Sequence, residues 1–300
     1  MKKMYMMFLG SIGVLVLLCF DIHAQNQLEL SISADKEYYL LGEPIIVYVK
    51  LKNVGNKSVE AMRYLEPDFD YVRYFITGLD GEEEQFTSIM LKEPANPRQT
   101  LPPKGSIHAA AKIFYGSDEW IFQAPGQYLL KAIYLNQVTS NSIAINVHDP
   151  SNANEQRASS LIIESQDIGL FFVLEGGDHL IDGIDRLRRI ATEFPKTSLA
   201  SYANYSLGIN LAHDRADFKN NRLRPAATDK AVEYLEKVKT QPITLYYMVN
   251  TYLLLSDGYT KLKKTSQMTA ANRDLNQLIE KSPEMARQWA KEYIEARKLR

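Results

Sequence analysis

The burial rhythm of the chain changes once, near Pro150, and this change constrains the fold more than any motif does. Ahead of it, apolar residues recur at every second position. Leu28, Leu30 and Ile32 alternate with Glu29, Ser31 and Ser33, while Ile45, Val47, Val49 and Leu51 alternate with Ile46, Tyr48, Lys50 and Lys52. A period of two puts successive side chains on opposite faces of a β-strand. Further strands are expected over 71–77, 107–115, 128–135 and 143–147, with weaker candidates at 59–64 and 85–89, because β-branched and aromatic residues concentrate there. Turn signals separate them: Leu41-Gly42-Glu43-Pro44, Asp80-Gly81, Pro102-Pro103-Lys104-Gly105 and Pro125-Gly126. Asp80-Gly81 suits a tight hairpin, since glycine tolerates the positive φ such turns need. Short strands with this punctuation imply an all-β sandwich.

Beyond the polar stretch Asp149-Pro150-Ser151-Asn152-Ala153-Asn154 the period becomes helical. Helices are expected over 155–174, 178–193, 198–213, 228–239, 245–264, 270–281 and 283–297. In the second of these, Leu180, Ile184, Leu187, Ile190 and Ala191 share one face. In the last, Ala286, Trp289, Ala290, Tyr293 and Ile294 form the stripe, with Ser282 as cap and Pro283 in the first turn. Leu187-x-x-Ile190, Leu235-x-x-Val238 and Leu275-x-x-Leu278 precede Pro195, Pro242 and Pro283, a faint repeat of helix, break and helix. The expected organisation is a leader at 1–24, a sandwich at 25–148, a linker at 149–154 and an all-α domain at 155–300.

The leader has the marks of a secretory signal peptide. Lys2 and Lys3 precede an apolar run over 4–20, and Ile22-His23-Ala24 offers a cleavage point before Gln25. The run is shorter than the ~20 residues of a membrane-spanning helix. The expectation is therefore export, to the periplasm, the outer surface or the medium. Cys19, the sole cysteine, lies inside this run. Lipid attachment there is the one route to membrane contact, although Leu18 stands where lipidation motifs take Gly, Ala or Ser. Cleavage at Ala24 leaves no thiol and hence no disulfide. The net charge of −1 argues against nucleic acid as a partner. It is unevenly divided: 11 Lys+Arg against 16 Asp+Glu over 25–150, and 22 against 19 over 151–300. Opposite imbalances attract the two halves weakly, and salt screens the attraction.

Several short stretches carry resemblances. Tyr39-Leu40-Leu41-Gly42-Glu43-Pro44, followed by 45–53, resembles the opening of bacterial Ig-like domains, as does Ala124-Pro125-Gly126-Gln127-Tyr128 before 129–135. That likeness implies an Ig-like sandwich with Tyr128 as a tyrosine corner, its hydroxyl closing onto the chain at a turn. The same pattern is similar to the sandwich of the BsuPI-type proteinase inhibitors. Phe194-Pro195-Lys196-Thr197-Ser198-Leu199-Ala200, continuing to Tyr205-Ser206-Leu207-Gly208, resembles the helix junctions of tetratricopeptide (TPR) repeats, which implies TPR-like α-hairpins. The Ala24-Gln25 junction resembles signal peptides of Bacteroidetes-type bacteria.

Motifs of chemistry are missing. His108, His148, His179 and His213 include no pair at helical ligand spacing and no His-Glu-x-x-His. Asp178-His179 and His213-Asp214 read as helix caps and dipole partners, with a composite metal site as the alternative. Glu66, Asp68 and Asp70 alternate like calcium ligands but lack the glycine and distal Glu of a calcium loop, so a solvated loop is expected. Ser33-Ala34-Asp35-Lys36 fits Ser-x-x-Lys without its partner motifs and reads as a strand end. Trp120 and Phe122 are expected in the core rather than on a platform. Lys219, Arg222 and Arg224 form a basic interhelical connection. Tyr202, Tyr205, Tyr246 and Tyr247 are expected to line a groove between helical hairpins, where tyrosine offers contact area at low entropic cost.

The expected function is that of a non-catalytic binding or scaffolding protein without cofactor or metal. It would hold a protein or peptide partner of the cell envelope in its helical groove. Two alternatives stay open. One is a proteinase inhibitor acting through the sandwich, with 92–103 as its loop. The other is a cryptic enzyme, whose mark would be a pocket containing titratable groups with opposed pKa shifts.

Overall fold

The computed structural model describes residues 27–117, 119–217, 221–241 and 243–298. The expected leader with Cys19 and Ala24 lies outside the described residues, as do Lys219 and Pro242. The first half is built of strands, with one 3-10 turn at Pro67–Phe69: β1 (Leu28–Ala34), β2 (Tyr38–Leu40), β3 (Ile46–Asn53), β4 (Val59–Met62), β5 (Val72–Thr77), β6 (Glu83–Gln85) and β7 (Arg98–Leu101). It continues with β8 (Ser106–Lys112), β9 (Tyr115–Gly116), β10 (Glu119–Trp120), β11 (Gly126–Tyr134), β12 (Val138–Thr139) and β13 (Ile143–His148).

One antiparallel sheet has the order β1-β3-β8 and faces another of order β2-β13-β11-β5-β6, with β2 parallel to β13. Register puts Ile32, Val49 and Ala109 side by side on the inner face of the first sheet. They close on Tyr74, Leu130, Ala132 and Ile145 of the second, all buried. The Asp80-Gly81 turn joins β5 to β6, with Gly81 at φ 85°. Exposed Glu83 and Glu84 then mark β6 as a charged edge strand that resists further pairing. The Tyr128 hydroxyl donates to the carbonyl of Ala124 at 2.8 Å, the closure expected of a tyrosine corner.

The second half is α1 (Ala153–Ile163), α2 (Gln166–Leu174), α3 (Ile181–Glu193), α4 (Ser198–Ala212), α5 (Thr228–Thr240), α6 (Leu245–Lys261), α7 (Thr265–Lys281) and α8 (Glu284–Lys298). A small hairpin, β14 (Arg215–Asp217) and β15 (Arg222–Arg224), stands between α4 and α5. The single helix expected over 155–174 is two. Ser165 is extended and its hydroxyl accepts from the Ile168 N–H, so it restarts the helix as an N-cap. Helices from α3 to α8 pack on their sequence neighbours, and α4 is buried on nearly every side. A Cβ on Gly208 of α4 would come within 2.8 Å of Leu235 on α5, so this glycine sets a close helix approach.

The two halves share one continuous core. On the outer face of the first sheet Ile46 and Tyr48 are fully buried, because α8 lies across β3 and β8. Trp289 of α8 meets Tyr48 with ring centroids 5.4 Å apart. His108 on β8 pairs with Glu292 at 2.7 Å. Further along, the Trp120 indole N–H donates to the Ser165 carbonyl at 3.3 Å, and Ser159 of α1 donates to the Leu41 carbonyl at 2.7 Å. The segment after β13 is thus no free hinge: α1 folds straight back onto the Gly42 turn. The joint is mainly aromatic, and its Lys112–Glu175 bridge takes its cation from the more acidic half, against the sense of the overall charge imbalance.

A fragment ending at residue 150 is therefore expected to expose Ile46, Tyr48 and Trp120. It should bind a hydrophobic dye and self-associate in sedimentation, whereas a monodisperse, dye-free fragment would show that the sandwich does not need its helical cover.

Candidate functional site: a cleft between sandwich and helices

Between the first sheet and the helices, covering incompletely matched surfaces, lies a cleft of about 470 Å³. Its floor is Ala110 and Lys112, the outward-facing residues of β8. One wall is aromatic: Tyr246 of α6 with Trp289 and Tyr293 of α8. Trp289 stacks with Tyr246 at 5.4 Å and with Tyr293, one helical turn on, at 5.3 Å. Both tyrosines are oriented by hydrogen bonds. Tyr293 donates to Asn250 Oδ1 at 2.8 Å, and Tyr246 donates to Glu175 Oε1 at 2.7 Å. The rim is apolar, with Met90 42% and Leu174 37% exposed.

Glu175 owes its position to helix termination. It caps α2 in the left-handed region, φ 55° and ψ 42°, ahead of Gly176. The turn throws its carboxylate back over the sheet, where Lys112 Nζ donates to it at 2.7 Å and to the Val173 carbonyl at 3.1 Å. Burial alone raises this carboxyl, but the Lys112 ammonium and the Tyr246 hydroxyl outweigh it and hold Glu175 below the ordinary glutamate value. Lys112 also supplies the positive charge that a carboxylate at a helix C-terminus otherwise lacks.

The opposite wall comes from the loop after β4. Glu66 precedes Pro67 and is extended, φ −70° and ψ 150°, as residues before proline are. Asp68 is engaged by Lys92 at 2.6 Å and by the Ser88 hydroxyl at 2.8 Å, and Asp70 by Arg73. Glu66 differs from both. Its Oε2 is buried with no hydrogen-bond partner. Burial, with the Asp68 carboxylate beside it, raises its pKa above the ordinary value. The expected solvated acidic loop is thus two surface ion pairs around one buried acid. Among the described residues no group of three His, Cys, Asp or Glu is placed to hold a metal ion.

A second polar centre lies in the same joint. Asp35, just past β1, accepts from the Leu245 N–H at 3.0 Å and from the Tyr39 hydroxyl at 3.2 Å. It caps α6 from the other half of the molecule, since the Thr244 side chain makes no cap bond. Burial raises its carboxyl to about 6 from 3.8, with the Leu245 bond and Lys36 offsetting part of the effect. The folded state then keeps a proton that the unfolded chain releases across this interval. The group's contribution is full below about pH 4 and is lost as pH rises through about 6, a change of about 3 kcal/mol. Asp35→Asn keeps an acceptor for Leu245 and has no charge to bury. Relative to the parent, its urea stability is expected to rise by about 3 kcal/mol between pH 4 and pH 8; parallel pH profiles would refute the assignment.

Three of the four tyrosines expected to face an open groove are buried instead. Tyr202, Tyr205 and Tyr247 are at most 1% exposed and pack edge to face, with centroids 5.2 Å and 4.9 Å from Tyr247. They fill the joint because α4 and the start of α6 turn their tyrosine faces toward the sandwich. Tyr246 is the one of the four that lines the cleft. Asp178 does not cap α3; it binds Arg224 of β15 and, at 2.9 Å, the Asn210 amide. His213 does end α4, but burial and the Arg215 cation lower its pKa, which disfavours a charge at the helix terminus. Trp120 and Phe122 are buried as expected. Of the proposed inhibitory loop, Arg98–Leu101 is strand β7 paired with β4.

No family model matches this chain, and no curated protein does. Among solved structures, the alkylpurine DNA glycosylase AlkC of Pseudomonas fluorescens, bound to DNA with an abasic-site analogue, aligns at 14% identity with a TM-score of 0.28, over 41% of this chain and 30% of that one. A CARDB domain from Pyrococcus furiosus aligns at 15% identity and 0.24, over 40% of this chain and 87% of that one. A β-glucosidase from Listeria innocua aligns at 14% and 0.26, over 40% and 16%. These likenesses are partial and weak. No helix among the described residues is long and apolar enough to cross a membrane.

Proposed function

We propose that this chain is an exported, non-catalytic binding protein whose ligand lodges in the cleft between sandwich and helices. The observation that supports the reading is the pairing of an oriented aromatic wall, Tyr246-Trp289-Tyr293, with a carboxyl, Glu66, whose Oε2 is buried without a hydrogen-bond partner. Ligand sites combine apolar and aromatic walls with a few placed polar groups in volumes of roughly 300–1,000 Å³. The stacked helices α3 to α8, read as TPR-like hairpins, form a frame holding α8 against the sheet. The sandwich, read as Ig-like, is the second wall rather than a spacer.

The test screens small peptides, sugars and amines against the full mature chain labelled at the tryptophan indoles. The reading expects at least one class to shift the Trp289 signal, leave Trp120 in place and raise Tm. Ser88→Trp, which fills the cleft from an exposed loop, should abolish the shift. Shifts that survive Ser88→Trp would place the ligand elsewhere.

A specific observation favours a second reading, the cryptic enzyme. Glu66 is raised and Glu175 lowered in one cleft, the pattern of an acid and base pair. The double engagement of Glu175 Oε1 by Lys112 and Tyr246 favours a structural carboxylate instead. Turnover of any chromogenic ester or glycoside that Glu66→Gln and Glu175→Gln each abolish would reverse that preference.

A further inference from the structure

Among the residues that line the cleft, carboxyl groups outnumber ammonium groups, with the Arg215 cation acting on Glu175 from outside the lining. There are three carboxyl groups, Glu66, Asp68 and Glu175, against two ammonium groups, Lys92 and Lys112. Lys92 is committed to Asp68 at 2.6 Å and Lys112 to Glu175 at 2.7 Å. The remaining carboxyl, Glu66, has a buried Oε2 without a partner. A buried polar atom left unmade is destabilising in the low-dielectric interior, and a carboxylate is most fully satisfied there by a cation that also donates hydrogen bonds.

The other wall favours the same kind of ligand. The faces of Tyr246, Trp289 and Tyr293 carry negative quadrupole charge, which attracts organic cations more than neutral groups. The structure already shows this preference in the same place: Lys112 Nζ lies 5.5 Å from the Tyr246 ring centroid. The Met90 and Leu174 rim suits an apolar body. A neutral hydroxyl ligand could donate to the Glu66 carboxylate but would leave the charge count unchanged.

We infer that the cleft ligand carries a primary or secondary ammonium group, seated against the Glu66 carboxylate, with its apolar body along the aromatic wall. The inference rests on the cleft reading above and adds the ligand's chemistry to it. Two sources share that chemistry: a free organic amine, and the lysine side chain of a peptide.

The test uses the full mature chain with both indoles labelled, and a matched pair of probes, phenethylamine and 2-phenylethanol, which differ in the head group alone. Phenethylammonium is expected to shift the Trp289 signal with an affinity at least about tenfold above that of the alcohol, the worth of one charge-assisted hydrogen bond. Glu66→Gln, similar in size and uncharged, should remove the difference while leaving Tm equal or higher. Nα-acetyl-lysine methylamide against n-butylamine distinguishes the sources: tighter binding of the former points to a peptide, of the latter to a free amine. Equal binding of phenethylamine and phenylethanol, or an amine preference that persists in Glu66→Gln, overturns the ammonium assignment but leaves the cleft as a binding site. Failure of every probe to move Trp289 removes both.

Discussion

Trp289→Ala is expected to lower the unfolding free energy by about 3–5 kcal/mol, the usual range for truncating a buried tryptophan. Trp289 is 5% exposed and touches Tyr48 across the joint, Tyr246 on α6 and Tyr293 on its own helix. The alanine variant loses all three ring contacts and leaves a cavity between sheet and helix where the two halves are held together. Urea unfolding followed by far-ultraviolet circular dichroism checks the size of the effect. Trp120 fluorescence, which reports on the other end of the joint, checks its reach. Trp289→Phe, which keeps a ring against Tyr48, should recover a large part of the loss. A change below about 1 kcal/mol for alanine would mean that α8 is peripheral and that the joint is held elsewhere.

Gly169→Leu is expected to destabilise by about 3 kcal/mol or more through overpacking. A Cβ at Gly169 would overlap the ring of Tyr115, the buried first residue of β9, so α2 sits directly on the sandwich. Helix propensity alone points the other way, since leucine is favoured over glycine inside a helix by just under 1 kcal/mol. The sign of the effect thus separates local preference from the joint. Gly81→Ala is the control. Nothing lies within 4 Å of its Cβ, yet its φ is 85°, so a modest backbone cost is expected with no steric one. Thermal melts of the three proteins give the comparison directly. A Gly169→Leu variant more stable than the parent would show that α2 and β9 separate readily.

Much of the architecture was legible in local patterns, and the places where legibility failed share a cause. Alternation in 45–51 located β3 and separated its two faces, and the stripe Ala286, Trp289, Ala290, Tyr293 located α8. The same alternation carried an unread signal. On the face of β3 that an isolated sandwich turns to water, Ile46 and Tyr48 are apolar, and Ala110 sits opposite Tyr48 on β8. A sheet with two apolar faces needs a second cover, so the joint was foreshadowed there. Contact area at low entropic cost suits the tyrosines of α4 and α6 to an open groove, but a helix too apolar for one buried face fits either an interface with another molecule or a central position in its own. Nothing within α4 distinguishes the two.

The candidate cleft was less legible still. Glu66, Lys112, Glu175 and Trp289 are separated by 46, 63 and 114 positions, and none belongs to a spaced motif. Glu66 resembled its neighbours Asp68 and Asp70 in sequence and differs from them only in what surrounds it. The rhythm of apolar residues is a property of neighbours along the chain, so the residues alone were enough to establish strands before Pro150 and helices after it. Which buried face belongs against which depends on contacts between positions a hundred or more residues apart. So do the burial of three tyrosines, the raised acids at Asp35 and Glu66, and the cleft itself. Those were settled only when α8 came to rest on β3, because desolvation and charge pairing act through space and leave no periodic trace in the order of residues.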